Sequence, residues 1–121
     1  MNPLGIFGLL GFGLLAVLYA LVALRGRAGT LTKGAAIGLH NRELEASEEA
    51  WRTGHEAAWP ILAMAAAVAA FHAVGCAIAG LLMGADGVAF TRILCLSGVV
   101  VAIALWFVAS AAAVSAVNRM K

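Results

Sequence analysis

The chain has 121 residues, of which 64% are hydrophobic and only 12% are charged, and its formal net charge at pH 7 is +2. This composition is too apolar for an ordinary soluble domain. The few basic residues are scattered and give no basis for a nucleic-acid partner, and the length predicts one domain over residues 1–121.

Three segments, residues 3–24, 59–83 and 93–117, contain no Lys, Arg, Asp or Glu. About 20 apolar residues are enough to cross a hydrocarbon core of about 30 Å. Inside lipid the backbone must satisfy its own hydrogen bonds, which favours helices. The sequence therefore predicts an all-α membrane protein with three transmembrane helices that contact the lipid bilayer.

The distribution of basic residues predicts the orientation of these spans. Five of the eight lie between residues 25 and 58 and two lie after residue 117, whereas Arg92 alone lies between the second and third spans. Cytoplasmic loops carry the excess of Lys and Arg. We expect the N-terminus outside, with loop 25–58 and the C-terminus in the cytoplasm. The first span is expected to stay as an anchor, because no basic residue precedes it and Arg25 and Arg27 follow it.

The first loop holds five of the six acidic residues and two of the three His. Ser47 is a favoured N-cap, and Glu48 and Glu49 would then lie in the first helical turn. We predict a short amphipathic cytoplasmic helix from this point, with i,i+4 ion pairs of Arg52 to Glu48 and Glu56, leading into the second span. Pro60 either starts a new helix or kinks a continuous one.

The same loop contains a sequence pattern. Gly38 and Asn41 belong to the segment Ile-Gly-Leu-His-Asn, and Ser-Glu-Glu-Ala-Trp at residues 47–51 is followed one turn later by His55. The pattern resembles the signature of the SdpI family of small bacterial multi-pass membrane proteins, in which a Gly-apolar-Arg-Thr/Asn element precedes Ser-Glu-x-x-Trp and a His. His40 stands where that family has Arg. The motif residues are Gly38, His40, Asn41, Ser47, Glu48, Trp51 and His55.

This resemblance implies a non-enzymatic protein of the bacterial inner membrane that acts by binding a partner. The leading hypothesis is an accessory or regulatory subunit of a larger envelope complex, such as a lipid-import transporter of the Mce type. A second hypothesis, which the resemblance also implies, is immunity against a membrane-active toxin with signalling through the cytoplasmic loop. A third is a small transporter or membrane enzyme that uses His72 or the Glu48 and His55 pair.

The residues themselves weigh against a catalytic or metal site. Glu48, Glu49 and His55 could act as acid–base groups, but no nucleophile or oxyanion-binding element accompanies them. His40 and His55 lack a third ligand at suitable spacing, and Cys76 and Cys95 show no zinc-ligand spacing. We therefore expect no catalytic residues, no cofactor and no metal.

His72 is the one histidine within the predicted spans, which contain no Lys, Arg, Asp or Glu. Such residues are functional candidates by default, with a neutral imidazole hydrogen-bonded to a neighbouring helix as the alternative. Trp106 is predicted to lie at the same depth in the third span. We favour the structural role and expect His72 and Trp106 to face one inter-helix seam.

Overall fold

The computed structural model describes residues 2–120, which form three long helices, one short helix and one 3-10 turn. In chain order these are α1 (Pro3–Ala28), α2 (Arg42–Glu45), α3 (Glu48–Leu82), the turn Gly84–Gly87 and α4 (Val88–Asn118). Helices α1, α3 and α4 are long and apolar enough to cross a membrane, and residues 2–120 contain no strand. The predicted all-α membrane fold with three spans is therefore confirmed.

The long helices begin and end at residues with the expected local chemistry. The Asn2 side chain accepts the N–H of Leu4 at 3.1 Å, and Pro3 occupies the first helical position of α1. Helix α1 ends at Ala28 and is followed by the C-cap residue Gly29, whose φ of 72° is left-handed and favours glycine. Helix α3 begins at the predicted cap, where Ser47 Oγ accepts the N–H of Ala50 at 3.0 Å.

Helix α3 passes through Pro60 without a break, which decides between the two alternatives left by the sequence. It has 35 residues and is therefore about 52 Å long, well beyond a hydrocarbon core of about 30 Å. The predicted interfacial helix is thus the charged first part of α3, residues 48–58, and we treat residues 59–82 as the membrane-spanning part. The one-turn helix α2 was not predicted.

The three spans pack with α3 in the middle. Helix α3 has its most extensive contacts with α1 and the next most extensive with α4, whereas α1 and α4 contact each other little. Helices α1 and α3 are antiparallel, because Gly5 lies against Gly80 near one end and Gly26 lies against His55 near the other. Small residues at these positions allow the two backbones to approach closely.

Candidate functional site at the charged end of α3

Residues 29–47, which we call the connector, join α1 to α3 and lie against the first part of α3. Trp51 is the largest side chain in this contact and is only 2% exposed. Its indole Nε1–H donates to the carbonyl oxygen of Leu31 at 3.0 Å. Trp51 therefore packs on the connector and is not exposed for contact with a partner.

His55 fixes a second point of the connector, one turn further along α3. Its Nε2 accepts the backbone N–H of Leu39 at 2.9 Å, and its Nδ1 lies 2.8 Å from the carbonyl oxygen of Trp51. Because a carbonyl can only accept, Nδ1 must carry the proton and Nε2 must be unprotonated. The contacts therefore specify one neutral tautomer of a ring that is 1% exposed.

Gly38 of the motif is required by the packing of the Trp51 ring. A Cβ atom at this position would lie 2.5 Å from both Cη2 and Cζ2 of Trp51 and 3.2 Å from Nε2 of His55. The rings of Trp51 and His55 are themselves packed with their centroids 4.4 Å apart. Only glycine leaves room for the connector backbone against these two rings.

His40, the position at which the sequence departs from the signature it resembles, is exposed and lies beside Glu45. Its Nδ1 is 2.8 Å from Oε1 of Glu45, and its ring meets the edge of Trp51 at a centroid distance of 5.8 Å. The hydrogen bond with Glu45 raises the pKa of His40 above its ordinary value. His40 therefore has more cationic character than an isolated histidine, although less than an arginine.

Asn41 is the N-cap residue of α2 by position, but its side chain makes no capping hydrogen bond. Its Nδ2 is buried and has no hydrogen-bond partner among residues 2–120. Directly after α2, Ser47 caps α3. Asn41 and Ser47 therefore occupy the N-cap positions of α2 and α3. Of the two, only Ser47 accepts a backbone N–H with its side chain.

Glu48 does not share the buried face of Trp51 and His55. Glu48 and Glu49 are exposed in the first turn of α3. The predicted ion pairs of Arg52 to Glu48 and Glu56 are not formed, since within the described residues the one pair closer than 4.0 Å is His40–Glu45. Instead, the aliphatic part of Arg52 packs near Gly29 at the end of α1.

His72 forms the expected hydrogen bond to a neighbouring helix. Its Nε2 lies 3.3 Å from Oγ of Ser97 on α4, and its Nδ1 lies 2.8 Å from the carbonyl oxygen of Val68 on its own helix. The ring also packs against Phe12 of α1, with a centroid distance of 5.4 Å. His72 therefore lies where the three long helices meet and does not point into lipid.

The prediction that His72 and Trp106 share a seam is wrong. Trp106 packs against Tyr19 of α1, with a ring centroid distance of 5.8 Å. Ser97, the partner of His72, lies nine residues before Trp106 on α4, which corresponds to about 13 Å along a helix. The two side chains lie at different depths because α3 and α4 run antiparallel from the turn at residues 84–87.

The candidate acid–base residues of the motif differ in their surroundings. Glu48 and Glu49 are exposed, whereas His55 is buried and both of its ring nitrogens are engaged by backbone groups. Within residues 2–120 no group of three or more His, Cys, Asp or Glu side chains could hold a metal ion. The contacts of Trp51 and His55 hold the connector in one conformation against α3.

Several residues of this site had not been identified from the sequence. Leu31 and Leu39 contribute only backbone groups to the hydrogen bonds, which leave no pattern in the sequence. Leu44 of α2 is fully buried against Gly54, where a Cβ would lie 2.6 Å from Cγ of Leu44. A lone leucine among charged residues, with a glycine in the facing helix, is the one signal that could have indicated this contact.

Comparisons with protein-family models, with characterised proteins and with solved structures gave no match to this chain.

Proposed function

We propose that this chain is an SdpI-like protein of the bacterial inner membrane that acts by binding another membrane protein, as an accessory or regulatory subunit. The observation that carries the proposal is that buried motif residues hold the connector while acidic residues next to them remain exposed. Trp51, His55 and Gly38 fix the connector on α3. Glu45, Glu48 and Glu49, which we call the acidic ledge, remain exposed around the start of α3.

The acidic ledge supports the choice of a membrane protein as the partner. Under the predicted orientation it lies at the cytoplasmic surface, where loops of other membrane proteins are rich in Lys and Arg. Glu48 and Glu49 have no ion pair within the described residues, so their charges are available. Since the connector is held by buried contacts, the ledge is presented on an ordered support, which lowers the entropic cost of binding.

The engagement of His72 and His55 favours binding over proton transfer or catalysis. Each ring already contacts a backbone carbonyl, and neither has an ionisable partner among the contacts described. A lipid-import transporter of the Mce type remains the proposed host complex. Toxin immunity and a transport or enzymatic role are the alternatives that the experiment must separate.

The test is purification from the native membrane in mild detergent, followed by identification of co-purifying proteins. The variant is Glu48→Gln combined with Glu49→Gln, and the matched control is Asp86→Asn, an exposed acid at the opposite end of the bundle. We expect equal membrane abundance for all three proteins and loss of the partner from the double variant alone. Equal recovery of partners by the double variant and the control would refute the proposed surface.

The alternatives give different results in the same cells. Recovery of a secreted toxin, with loss of protection in the double variant, would replace the subunit role by immunity. Loss of a transport or enzymatic activity on His72→Phe, with all partners retained, would replace it by the third hypothesis.

A further inference from the structure

Cys76 of α3 and Cys95 of α4 lie side by side in the membrane-spanning part of the bundle. Neither takes part in the connector contact or in the proposed partner surface. Helices α3 and α4 run antiparallel from the turn at residues 84–87, and Cys76 lies six residues before Leu82 while Cys95 lies seven residues after Val88. The two cysteines therefore reach nearly the same level on neighbouring helices.

The surroundings of Gly8 on α1 show how close the two sulfurs are. A Cβ atom at Gly8 would lie 2.5 Å from Sγ of Cys76 and 3.5 Å from Sγ of Cys95. The two sulfurs are therefore no farther apart than the sum of these two distances, and both are free thiols. His72 and Ser97, which lie slightly deeper on the same two helices, are in contact and support the same register. Neighbouring sulfurs on adjacent helices meet the first requirement for a disulfide.

The two thiols differ in access. Cys76 is fully buried, whereas Cys95 is partly exposed and lines a groove of about 290 Å³ between α1 and α4. Phe7 and Val99 also line this groove and are exposed on the outer faces of their helices, so the groove opens toward lipid. Its lining is almost entirely apolar, which disfavours the entry of a charged molecule. A neutral molecule dissolved in the bilayer can therefore reach Cys95, with Cys76 directly behind it.

The apolar surroundings also restrict the chemistry of oxidation, because an isolated charge in hydrocarbon is very costly. With a quinone as the oxidant, each thiol gives up one hydrogen and the S–S bond forms between Cys76 and Cys95. The quinone takes up the two protons and two electrons and becomes a hydroquinone. Both reactants and both products are neutral, and quinones dissolve in lipid.

We propose that Cys76 and Cys95 are a redox-active pair, which a membrane quinone oxidises to a disulfide joining α3 and α4. The predicted orientation places the pair in the outer half of the bilayer. This is the side on which quinones supply oxidising equivalents for disulfide formation in bacteria. The inference is independent of the proposed partner binding.

The test measures the redox state of the purified full-length protein in liposomes. The reduced protein is incorporated without oxygen into liposomes that contain either a ubiquinone or no quinone, and oxidised glutathione, a charged and water-soluble oxidant, is added to a second quinone-free sample. Remaining thiols are alkylated in denaturant, and the intact mass distinguishes two alkylated thiols from an intramolecular disulfide. Gly11→Leu and Gly13→Leu form a matched pair, because a Cβ at either position meets no atom within 4 Å but only Gly11 lines the groove.

We expect ubiquinone to convert the wild-type protein and Gly13→Leu to the disulfide, and oxidised glutathione to leave both thiols reduced. Gly11→Leu should lose most of the rate of disulfide formation, because its side chain fills the approach to Cys95. In Cys76→Ser the Cys95 thiol should remain available for alkylation, since its partner is absent. Two alkylated thiols in the wild-type protein after incubation with ubiquinone would overturn the proposal. Equal oxidation by oxidised glutathione, or equal rates in the two leucine variants, would also overturn it.

Discussion

Leu39 donates its backbone N–H to Nε2 of His55 at 2.9 Å, so a buried side chain of α3 holds the connector by a main-chain group. A neutral imidazole can accept this bond while its Nδ1–H donates to Trp51, whereas a protonated ring cannot. Taking up a proton at His55 therefore requires the connector bond to break. His55 therefore binds a proton less readily when the connector is docked than when the connector is released.

The first prediction follows from this linkage. Stability rises with pH wherever the unfolded form binds more protons, so acidification from about pH 7 to about pH 5 is expected to release the connector. Limited proteolysis of residues 29–47 in detergent measures the release. In His55→Phe, cleavage should be faster at neutral pH and should no longer be accelerated by acid over this range.

His40 provides the internal control for this prediction, because its contact with Glu45 depends on pH in the opposite direction to the His55 contact. The Glu45 hydrogen bond raises the pKa of His40, so that contact is fully present at low pH and is lost as the pH rises through the raised value. It cannot cause release on acidification. Glu45→Gln should therefore leave the acid-induced cleavage in place, and loss of the acid effect in this variant would contradict its assignment to His55.

The second prediction concerns Gly38. Gly38→Ala places a methyl group against the Trp51 ring and should destabilise the protein by about 1–3 kcal/mol, the usual cost of overpacking. Gly13→Ala is the control, because a Cβ there meets no atom within 4 Å and alanine favours the helix. Thermal unfolding in detergent measures both. Equal unfolding temperatures would show that the ring can move aside without loss.

The third prediction is the orientation. Asp86 is exposed in the turn between α3 and α4, whereas the neighbouring Gly87 is buried, so position 86 is suited to probing this turn. In a background with Cys76→Ala and Cys95→Ala, Asp86→Cys should react with an impermeant thiol reagent added to intact cells. Gly34→Cys should react only after the membrane is opened. The reverse pattern would invert the orientation and place the acidic ledge outside.

The fourth prediction separates a structural His72 from a functional one. Removing its inter-helix partner by Ser97→Ala should cost about 0.6 kcal/mol, the average for hydrogen bonds between helices in membranes. Ser110→Ala on the same helix serves as the control. Unfolding in detergent gives the stability of each protein, and co-purification gives its binding. Loss of partner or transport activity in Ser97→Ala at unchanged stability would contradict a structural role.

The spans could be predicted because lipid allows so few alternatives. Long uncharged segments must form helices there, and Ser47 carries the local chemistry of a helix start. The continuity of α3 through Pro60 could not be predicted, since tertiary packing decides whether a proline kinks or ends a helix.

The level of His72 relative to residues of α4 could have been predicted by counting residues from the turn between α3 and α4. His72 lies ten residues before Leu82, and Ser97 lies nine residues after Val88, so two antiparallel helices bring them to the same level. The burial of Trp51 and His55 could not be predicted in this way. Their partners are backbone groups of Leu31 and Leu39, and a backbone group is the same in every residue.

The docking of the connector on α3 underlies the ordered presentation of the acidic ledge. Hydrogen exchange of the Leu39 amide, measured by NMR in detergent micelles at neutral pH, reports this docking directly. We expect slow exchange in the wild-type protein and in Glu48→Gln, which changes only the surface. Exchange should become fast in His55→Phe, which removes the acceptor. Fast exchange in the wild-type protein, or equally slow exchange in His55→Phe, would contradict docking of the connector through His55.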